Sequence, residues 1–339
     1  MKAARLHGPG DLRIDDIPEP VAGPGEVVLR IGAAASCHTD VKSVLRGHPS
    51  LGPYPARLGH EFAGTIERVG EGVTNVAPGD VVFCSDSAPC GRCHQCVRGR
   101  ESLCEDLQYL LGGFAEKLLV PERVTRTNLH PLPDRVPLRL APVAEPLACA
   151  VHGLDVVTLH ADEPVVILGG GSLGMMLCGL IASAGGAPIV LDPHAERLEQ
   201  ARRFGAAHTI LATRGAEDVA RLRALTGGRG AELVIEAVGR PEAWELAVAM
   251  AAPGGTVNLF GGCARGSTFS VPTARVHYDE VTLLGTYHHA PRYLAQALEI
   301  LAAQEHPWAS LLSAEITLDE LPERLLDPLA GKLSVRTEP

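Results

Sequence analysis

Aromatic side chains are scarce in this chain, making up 4% of its 339 residues. A binding pocket walled mainly by aromatic rings is therefore disfavoured. Positive charge is also in deficit, because 40 acidic residues face 30 lysines and arginines. Nucleic acids and anionic membrane surfaces both require a basic patch on their partner. We therefore expect neither nucleic acid nor a membrane among the partners of this protein.

An export signal is missing from the start of the sequence. The first residues, MKAARLHGPGDLRIDDI, lack the apolar core of a signal peptide. The chain has nine cysteines, which is an odd number, and four of them are clustered. Without an export signal, this usage is typical of metal binding rather than of a disulfide framework. We expect a cytoplasmic protein, and the length and the 46% apolar content allow two globular domains.

One uncharged stretch, residues 165–191, is long enough to cross a bilayer. It contains seven glycines and Pro188, which are poor components of a single apolar helix. It also divides into the segments VVIL, GGGSLG, MMLCGLIASAGG and PIVLD. This pattern predicts a buried strand, a tight loop, a buried helix and a second strand, in place of a membrane span.

The densest motif is PCGRCHQCVRGRESLC, which spans residues 89–104. Its thiols are spaced C-x2-C-x2-C-x7-C and belong to Cys90, Cys93, Cys96 and Cys104. Tetrahedral zinc needs four soft ligands, and C-x2-C turns supply them in pairs. The alternative is a redox C-x-x-C motif with two additional thiols. A four-cysteine zinc site has no open position for a substrate, so we predict a structural zinc and expect the chemistry elsewhere.

A second set of polar residues is scattered over three short motifs. These are Cys37, His38, Thr39 and Asp40 in SCHTD, His60 and Glu61 in LGHEFAG, and Glu145 and Cys149 in VAEPLACAVHG. Each motif alone is a weak signal, because a lone His-Glu pair is usually solvated. Together they offer a thiolate, an imidazole and carboxylates, which suit a catalytic zinc with an exchangeable position.

A glycine loop is the strongest local signal. In PVVILGGGSLGMMLCGL, Gly169, Gly171 and Gly174 form G-x-G-x-x-G between an apolar strand pattern and a helix pattern. Asp192 ends the next predicted strand, 18 residues after Gly174, where an acid can accept hydrogen bonds from an adenosine ribose. The alternative is a glycine-rich turn of another α/β fold. Further strands (AELVIEAVG, GGTVNLFGG, VTLLGTY) alternating with helices (PEAWELAVAMA, PRYLAQALEILAAQ) favour a parallel sheet.

The motifs CHTD, GHE, the four-cysteine loop, EPLA and GGGSLG, in this order, resemble those of zinc-dependent medium-chain dehydrogenases, the alcohol, sorbitol and threonine dehydrogenase superfamily. The resemblance covers nearly the whole chain and implies an α/β fold. It implies a GroES-like, β-rich catalytic domain over residues 1–150 and a Rossmann domain with a doubly wound parallel sheet over 151–287. Residues 288–339 then return to complete the catalytic domain.

The resemblance also implies roles for the scattered residues. Cys37 and His60 resemble the two constant ligands of the catalytic zinc. Glu145 and Glu61 resemble the further ligands of the polyol branch, and Cys149 is the competing candidate. Thr39 resembles the hydroxyl that passes the substrate proton away, and Asp40 resembles the acid that orients His60.

One position departs from the family pattern. Lys42 replaces the histidine that ends the proton relay in many relatives. Either a water, the cofactor ribose or another group completes the path, or the enzyme favours the reductive direction. Lys42 is otherwise a solvated surface amine.

The implied function is hydride transfer between an alcohol and NAD, giving a ketone or aldehyde. The alcohol would be a secondary alcohol, polyol, amino alcohol or sugar alcohol, and each chain would carry two zinc ions, one catalytic and one structural. The residues expected to bind the cofactor are Gly169, Gly171, Ser172, Leu173, Gly174, Asp192 and Arg197. We expect a homo-oligomer, a dimer or a tetramer. The alternatives are a reductase of conjugated C=C bonds on the same scaffold and a non-catalytic zinc protein.

Substrate identity is less constrained by the sequence. Where the family lines its pocket, the stretch VLRGHPSLGPYPARLG carries Arg46, His48, Tyr54 and Arg57, which could meet a polyol, an amino sugar or an anionic group. The alternative is a solvated loop. The two histidines of YHHAP either face the cleft or cap the helix that follows.

Overall fold

The computed structural model describes residues 1–47, 51–327 and 330–337. The chain divides into two compact units. Met1–Ala148 and His289–Pro339 form one of them, which we call the split unit. Cys149–His288 forms the other, the continuous unit. His48, a predicted pocket residue, lies outside the described residues.

Strands and helices account for most of both units. In chain order the strands are β1 Lys2–Gly8, β2 Asp11–Asp16, β3 Val27–Ala35, β4 Ala56–Arg57, β5 Glu61–Val69, β6 Val81–Cys84, β7 Ser87–Ala88, β8 Gln108–Tyr109, β9 Lys117–Val120, β10 Leu129–Pro131, β11 Pro164–Leu168, β12 Ala187–Asp192, β13 His208–Leu211, β14 Ala231–Glu236, β15 Ala251–Leu259, β16 Thr282–Gly285, β17 Leu312–Thr317 and β18 Lys332–Arg336. The α-helices are α1 His38–Arg46, α2 Glu122–Thr127, α3 Ala144–Asp155, α4 Ser172–Ser183, α5 Ala195–Arg203, α6 Ala216–Leu225, α7 Pro241–Met250, α8 Thr273–His277, α9 Pro291–Ala303 and α10 Leu321–Arg324.

The split unit is built on a mostly antiparallel sheet. Its strand order is β10-β6-β5-β3-β18-β17, and β9 also pairs with β3. A smaller sheet has the order β2-β1-β4. Inward-facing apolar side chains such as Leu29, Ile31, Phe62 and Leu333 are buried between these elements. The C-terminal strand β18 lies beside β3, so residues from the two ends of the chain share one sheet.

The continuous unit contains one parallel sheet with the order β13-β12-β11-β14-β15-β16. Its central strands are mostly apolar, because helices cover both faces of such a sheet, and β12 and β14 each end on a buried acid. Buried side chains of β11, β12, β14 and β15 form the core. The strands and helices predicted from GGGSLG and the segments after it are confirmed. The strand order reverses between β11 and β14, and ligands bind at such a switch point in open α/β sheets.

Residues 165–191 do not form a single long helix. They contain most of β11, the 12-residue helix α4 and most of β12. Over the part of the chain that the structure describes, no helix is both long enough and apolar enough to cross a membrane.

Candidate functional site

Three predicted metal ligands meet in the split unit. Ligand atoms of Cys37, His60 and Glu61 all lie within 4.8 Å of one another. Cys37 is the N-cap residue of α1, and its side chain accepts a hydrogen bond from Thr39 N. Glu61 opens β5 and His60 directly precedes it, so the strand fixes both side chains. The structure therefore brings together residues that the sequence separates into two motifs.

Asp40 links this cluster to the helix that begins beside it. Its Oδ1 lies 3.1 Å from His60 Nδ1, and its Oδ2 accepts a hydrogen bond of 2.8 Å from Cys37 N. Because Asp40 engages Nδ1, the other ring nitrogen of His60 is left for a metal. Burial opposes charge on His60, but the charge and hydrogen bond of Asp40, with Cys37, raise its pKa well above the ordinary value. Burial likewise opposes the Cys37 thiolate, yet His60 lowers the pKa of Cys37.

Lys332 compensates the charge of Glu61. Glu61 is fully buried and forms an ion pair with Lys332, whose Nζ also donates to Ser36 O at 3.1 Å. Burial raises the pKa of Glu61 well above its ordinary value, and Lys332 opposes that rise. Within the described residues, no hydrogen-bond partner reaches Glu61 Oε1. A thiol, an imidazole and a buried carboxylate oxygen of this kind fit a zinc ion.

Glu145 lies in a neighbouring polar group with Asp86 and His289. His289 Nε2 is 3.0 Å from Asp86 Oδ1 and 3.5 Å from Glu145 Oε1, and all three residues are buried. Burial, followed by the charge of Asp86, raises the pKa of Glu145. The charge of Glu145 also raises the pKa of Glu61, so the two carboxylates interact electrostatically. The structure thus places Glu145 beside, rather than within, the group formed by Cys37, His60 and Glu61.

The sequence interpretation missed Asp86, His289 and Lys332. His289 contacts Asp86 across 203 positions, and Lys332 contacts Glu61 across 271 positions, so no local spacing marks either pair. The one local signal is the YHHAP motif, which predicts either a position facing the cleft or a helix cap. The N-cap residue of α9 is Ala290, and it has no side-chain cap.

The four clustered cysteines also converge. Their sulfur atoms lie within 4.8 Å of one another. Backbone N–H groups point at them, including Cys90 N to Cys104 Sγ at 3.2 Å and Cys93 N to Cys90 Sγ at 3.4 Å. Hydrogen bonds from backbone N–H groups lower the pKa of Cys93 to about 6, which favours the thiolate that zinc requires. Arg292 of α9 bonds Glu101 and Gly99 O and so ties this loop to a helix.

The remaining predicted residues of the split unit lie near its surface. Thr39 is half-buried on the first turn of α1, and Lys42 is exposed on the same helix. Arg46, Tyr54 and Arg57 are exposed as well. Their roles in proton transfer and substrate binding stay predictions.

The glycine loop in the continuous unit has the geometry of an anion site. Gly171 is the N-cap residue of α4, and Ser172 and Leu173 begin that helix. A Cβ atom on Gly174 would lie 1.8 Å from Gly169 O, so only glycine fits there. Free N–H groups and the helix dipole at this end favour a phosphate.

Asp192, at the end of β12, is buried, and its carboxylate accepts three hydrogen bonds. Its Oδ2 accepts hydrogen bonds from Gly170 N at 2.8 Å and Arg197 Nη1 at 3.3 Å. Its Oδ1 accepts from His194 N at 2.9 Å. The carboxylate is therefore fixed against the loop that carries the glycines.

Two protein families match this chain. Residues 23–134 match the alcohol dehydrogenase GroES-like domain, and residues 172–303 match the zinc-binding dehydrogenase family. The D-altritol 5-dehydrogenase of Agrobacterium fabrum is 31% identical over 95% of this chain and 94% of its own. The sorbitol dehydrogenase of Bacillus subtilis is 28% identical over 94% of this chain and 91% of its own.

Solved structures agree with these matches. A zinc-binding dehydrogenase from Sinorhizobium meliloti, bound to NADP, superposes with a TM-score of 0.88 at 30% identity over 99% of this chain and 98% of its own. An alcohol dehydrogenase from a Thermus species superposes with a TM-score of 0.90 at 28% identity over 99% of both chains.

Proposed function

Because the chain belongs to the zinc-dependent medium-chain dehydrogenase superfamily, we propose that it oxidises an alcohol of the polyol class to a ketone or aldehyde with NAD. The observation that carries this proposal is the group formed by Cys37, His60 and Glu61, with Asp40 held against His60. Zinc, when bound, supplies the Lewis acidity that lets a substrate hydroxyl lose its proton near neutral pH.

Particular residues of the chain would bind the two metal ions and carry the substrate proton. Cys37, His60 and Glu61 would hold the metal, and Asp40 fixes the ring of His60. Glu145 would complete the polar surroundings of the metal from its place beside His289. Thr39, half-buried at the start of α1, would take the proton outward. The four cysteines of the 89–104 loop would hold a second, structural zinc.

Domain roles and location are part of the same proposal. We assign catalysis to the domain predicted at residues 1–150 and 288–339, and cofactor binding to residues 151–287. The glycine loop of the continuous unit supports the second assignment. A cytoplasmic location is supported by the cysteines, none of which forms a disulfide in the described part of the chain.

The substrate class rests on the relatives named for altritol and sorbitol. The test is a panel of polyols, amino alcohols and simple alcohols with NAD, followed by the absorbance of the reduced cofactor. A conjugated enal with reduced cofactor belongs in the same panel. We expect polyol oxidation and about two zinc ions per chain. Reduction of the enal without oxidation of any alcohol would instead support the reductase alternative.

We predict a preference for NAD over NADP. The 2′-phosphate of NADP would bring negative charge to the fixed carboxylate of Asp192. The expected kcat/KM for NAD is at least roughly tenfold that for NADP, and Asp192→Ala should narrow the ratio. Arg197→Ala is the matched control, because removing the cation 3.3 Å from Asp192 should widen the ratio. Equal use of both cofactors by the unaltered enzyme would contradict this prediction.

We also predict a homo-oligomer. Strand β16 ends the parallel sheet, and its outer edge has no partner among the described strands. The unpaired backbone N–H and C=O groups of an edge strand favour pairing with another chain unless something covers them. Tyr278, just before this strand, is 80% exposed and adds apolar surface next to it. Light scattering at assay concentration should give a dimer or tetramer, and a monomeric mass would refute the prediction.

A further inference from the structure

Strand β14 ends on a buried acid at the switch point of the parallel sheet. Glu236 is the last residue of this strand and is fully buried. In the parallel register it faces Leu168, the residue directly before Gly169 of the glycine loop. On the other side it faces Leu259 of β15. Glu236 therefore lies where the loops after three neighbouring strands begin.

The carboxylate of Glu236 is hydrogen-bonded to the turn that follows it, residues 237–239. Its Oε1 accepts hydrogen bonds from Val238 N at 2.7 Å and from Gly239 N at 2.9 Å. Two charge-assisted bonds to consecutive amides fix the orientation of the turn.

The 237–239 turn packs against the glycine loop. A Cβ atom built on Gly169 would lie 3.0 Å from Val238 Cγ2, so the two loops are in direct contact. A Cβ atom on Gly261, in the loop after β15, would lie 2.4 Å from Gly239 N and 2.8 Å from Glu236 Oε2. The Glu236 carboxylate thus contacts the loops after β14 and β15, and through Val238 it supports the loop after β11.

Among the described residues, no ion pair balances the charge of this acid. Burial raises the pKa of Glu236 to about 7, and the amides of Gly239 and Val238 with the Trp244 indole oppose the rise. The groups that face it from β11, β15 and α7 are Leu168, Leu259 and Trp244, which do not titrate near neutral pH. The Asp192–Arg197 pair lies beyond β11, because that strand separates β12 from β14.

We propose that Glu236 is a positioning residue for the dinucleotide cofactor, because its carboxylate holds the 237–239 turn against Gly169 at the switch point. This inference rests on the proposed function, since it assumes that the glycine loop binds NAD. The ionised carboxylate accepts both amides better than the protonated acid does, so protonation loosens the turn. Cofactor affinity should therefore rise with pH as Glu236 ionises.

The test is direct binding of NAD and NADH to the zinc-loaded, full-length enzyme without substrate, followed by protein fluorescence at pH 6 and pH 8. Glu236→Ala should raise the Kd at pH 8 by roughly tenfold or more. Glu236→Gln, which keeps an acceptor but cannot ionise, should give an intermediate Kd. The ratio of Kd between the two pH values should be at least about threefold smaller in this variant than in the unaltered enzyme. The contribution of every other titrating group cancels in that comparison.

Asp218 supplies the matched control. It is also a buried carboxylate of the continuous unit, and it accepts hydrogen bonds from Thr213 N at 2.9 Å and Arg214 N at 2.7 Å. It serves the loop after β13, at the far edge of the sheet. Asp218→Asn should lower thermal stability but leave the Kd and its pH dependence within about twofold.

The outcomes separate the two proposals. If the unaltered enzyme binds neither NAD nor NADH, the proposed function fails. If it binds cofactor and folded Glu236→Ala binds equally well, the positioning role of Glu236 is wrong. If Glu236→Ala does not fold, Glu236→Gln decides, and a pH dependence equal to that of the unaltered enzyme overturns the proposal.

Discussion

Replacing Cys93 with serine is expected to lower the melting temperature by at least about 10 °C, because binding of a structural zinc is coupled to folding. Cys93 Sγ lies 3.9 Å from Cys104 Sγ and accepts a hydrogen bond from Glu105 N at 3.5 Å. A serine hydroxyl is a poor replacement, since it stays protonated at neutral pH and binds zinc weakly. The loop would then lose the bond that holds its ends together. Zinc content should fall from about two to about one per chain.

Cys263→Ser is the control for this experiment. Cys263 is a half-buried thiol of the continuous unit and belongs to no candidate metal group in the described residues. Its replacement should change the melting temperature by only a few degrees. If Cys93→Ser instead stays fully folded with both zinc ions and specifically loses turnover, the structural assignment of the four cysteines is wrong.

Replacing Glu145 with alanine is expected to lower kcat or catalytic zinc affinity by roughly 10- to 100-fold, the usual effect of losing a group that supports a metal site. Glu145 is buried, and His289 Nε2 lies 3.5 Å from its Oε1. The variant would leave the Asp86–His289 pair in place and remove the carboxylate beside it. Steady-state kinetics and zinc analysis of the purified variant measure the two effects separately.

Cys149→Ala is the matched comparison, because Cys149 is the competing ligand candidate on the same helix, α3. We assign its thiol a packing role, so kcat should stay within about threefold of the unaltered enzyme. The opposite ranking, with Cys149→Ala the more damaging change, would identify the thiol as a ligand and remove Glu145 from the metal site.

Local patterns explain why the continuous unit could be predicted from the sequence. The glycine loop combines a β-branched strand, a tight turn and a helix within about 20 residues, and each has its own periodicity. Alternating apolar segments predict β14, α7, β15 and β16, together with α9 of the split unit, and all five are confirmed. The edge strand β13 and the charged helix α5 were missed, because neither has a long apolar run.

The site of the split unit was predictable only in part. The contacts of Cys37 with His60 and of His60 with Asp40 follow from motifs 20 to 23 positions apart, for which only family resemblance gave a link. The contacts of His289 with Asp86 and of Lys332 with Glu61 depend on how the chain returns after the continuous unit. No periodicity encodes such pairings, because they arise from tertiary packing alone.

The ion pair of Glu61 with Lys332 also affects the order in which the two units can be completed during synthesis. The two residues are 271 positions apart, so at roughly 5–20 residues per second the ribosome adds Lys332 roughly 14–54 s after Glu61. Until then the cation that balances Glu61 does not exist, and β3 lacks its neighbour β18. The continuous unit, whose strands are all made in between, can complete its own sheet first. The sheet of the split unit therefore keeps an open edge beside β3 until β18 is made, and β18 follows all the other described strands in the chain.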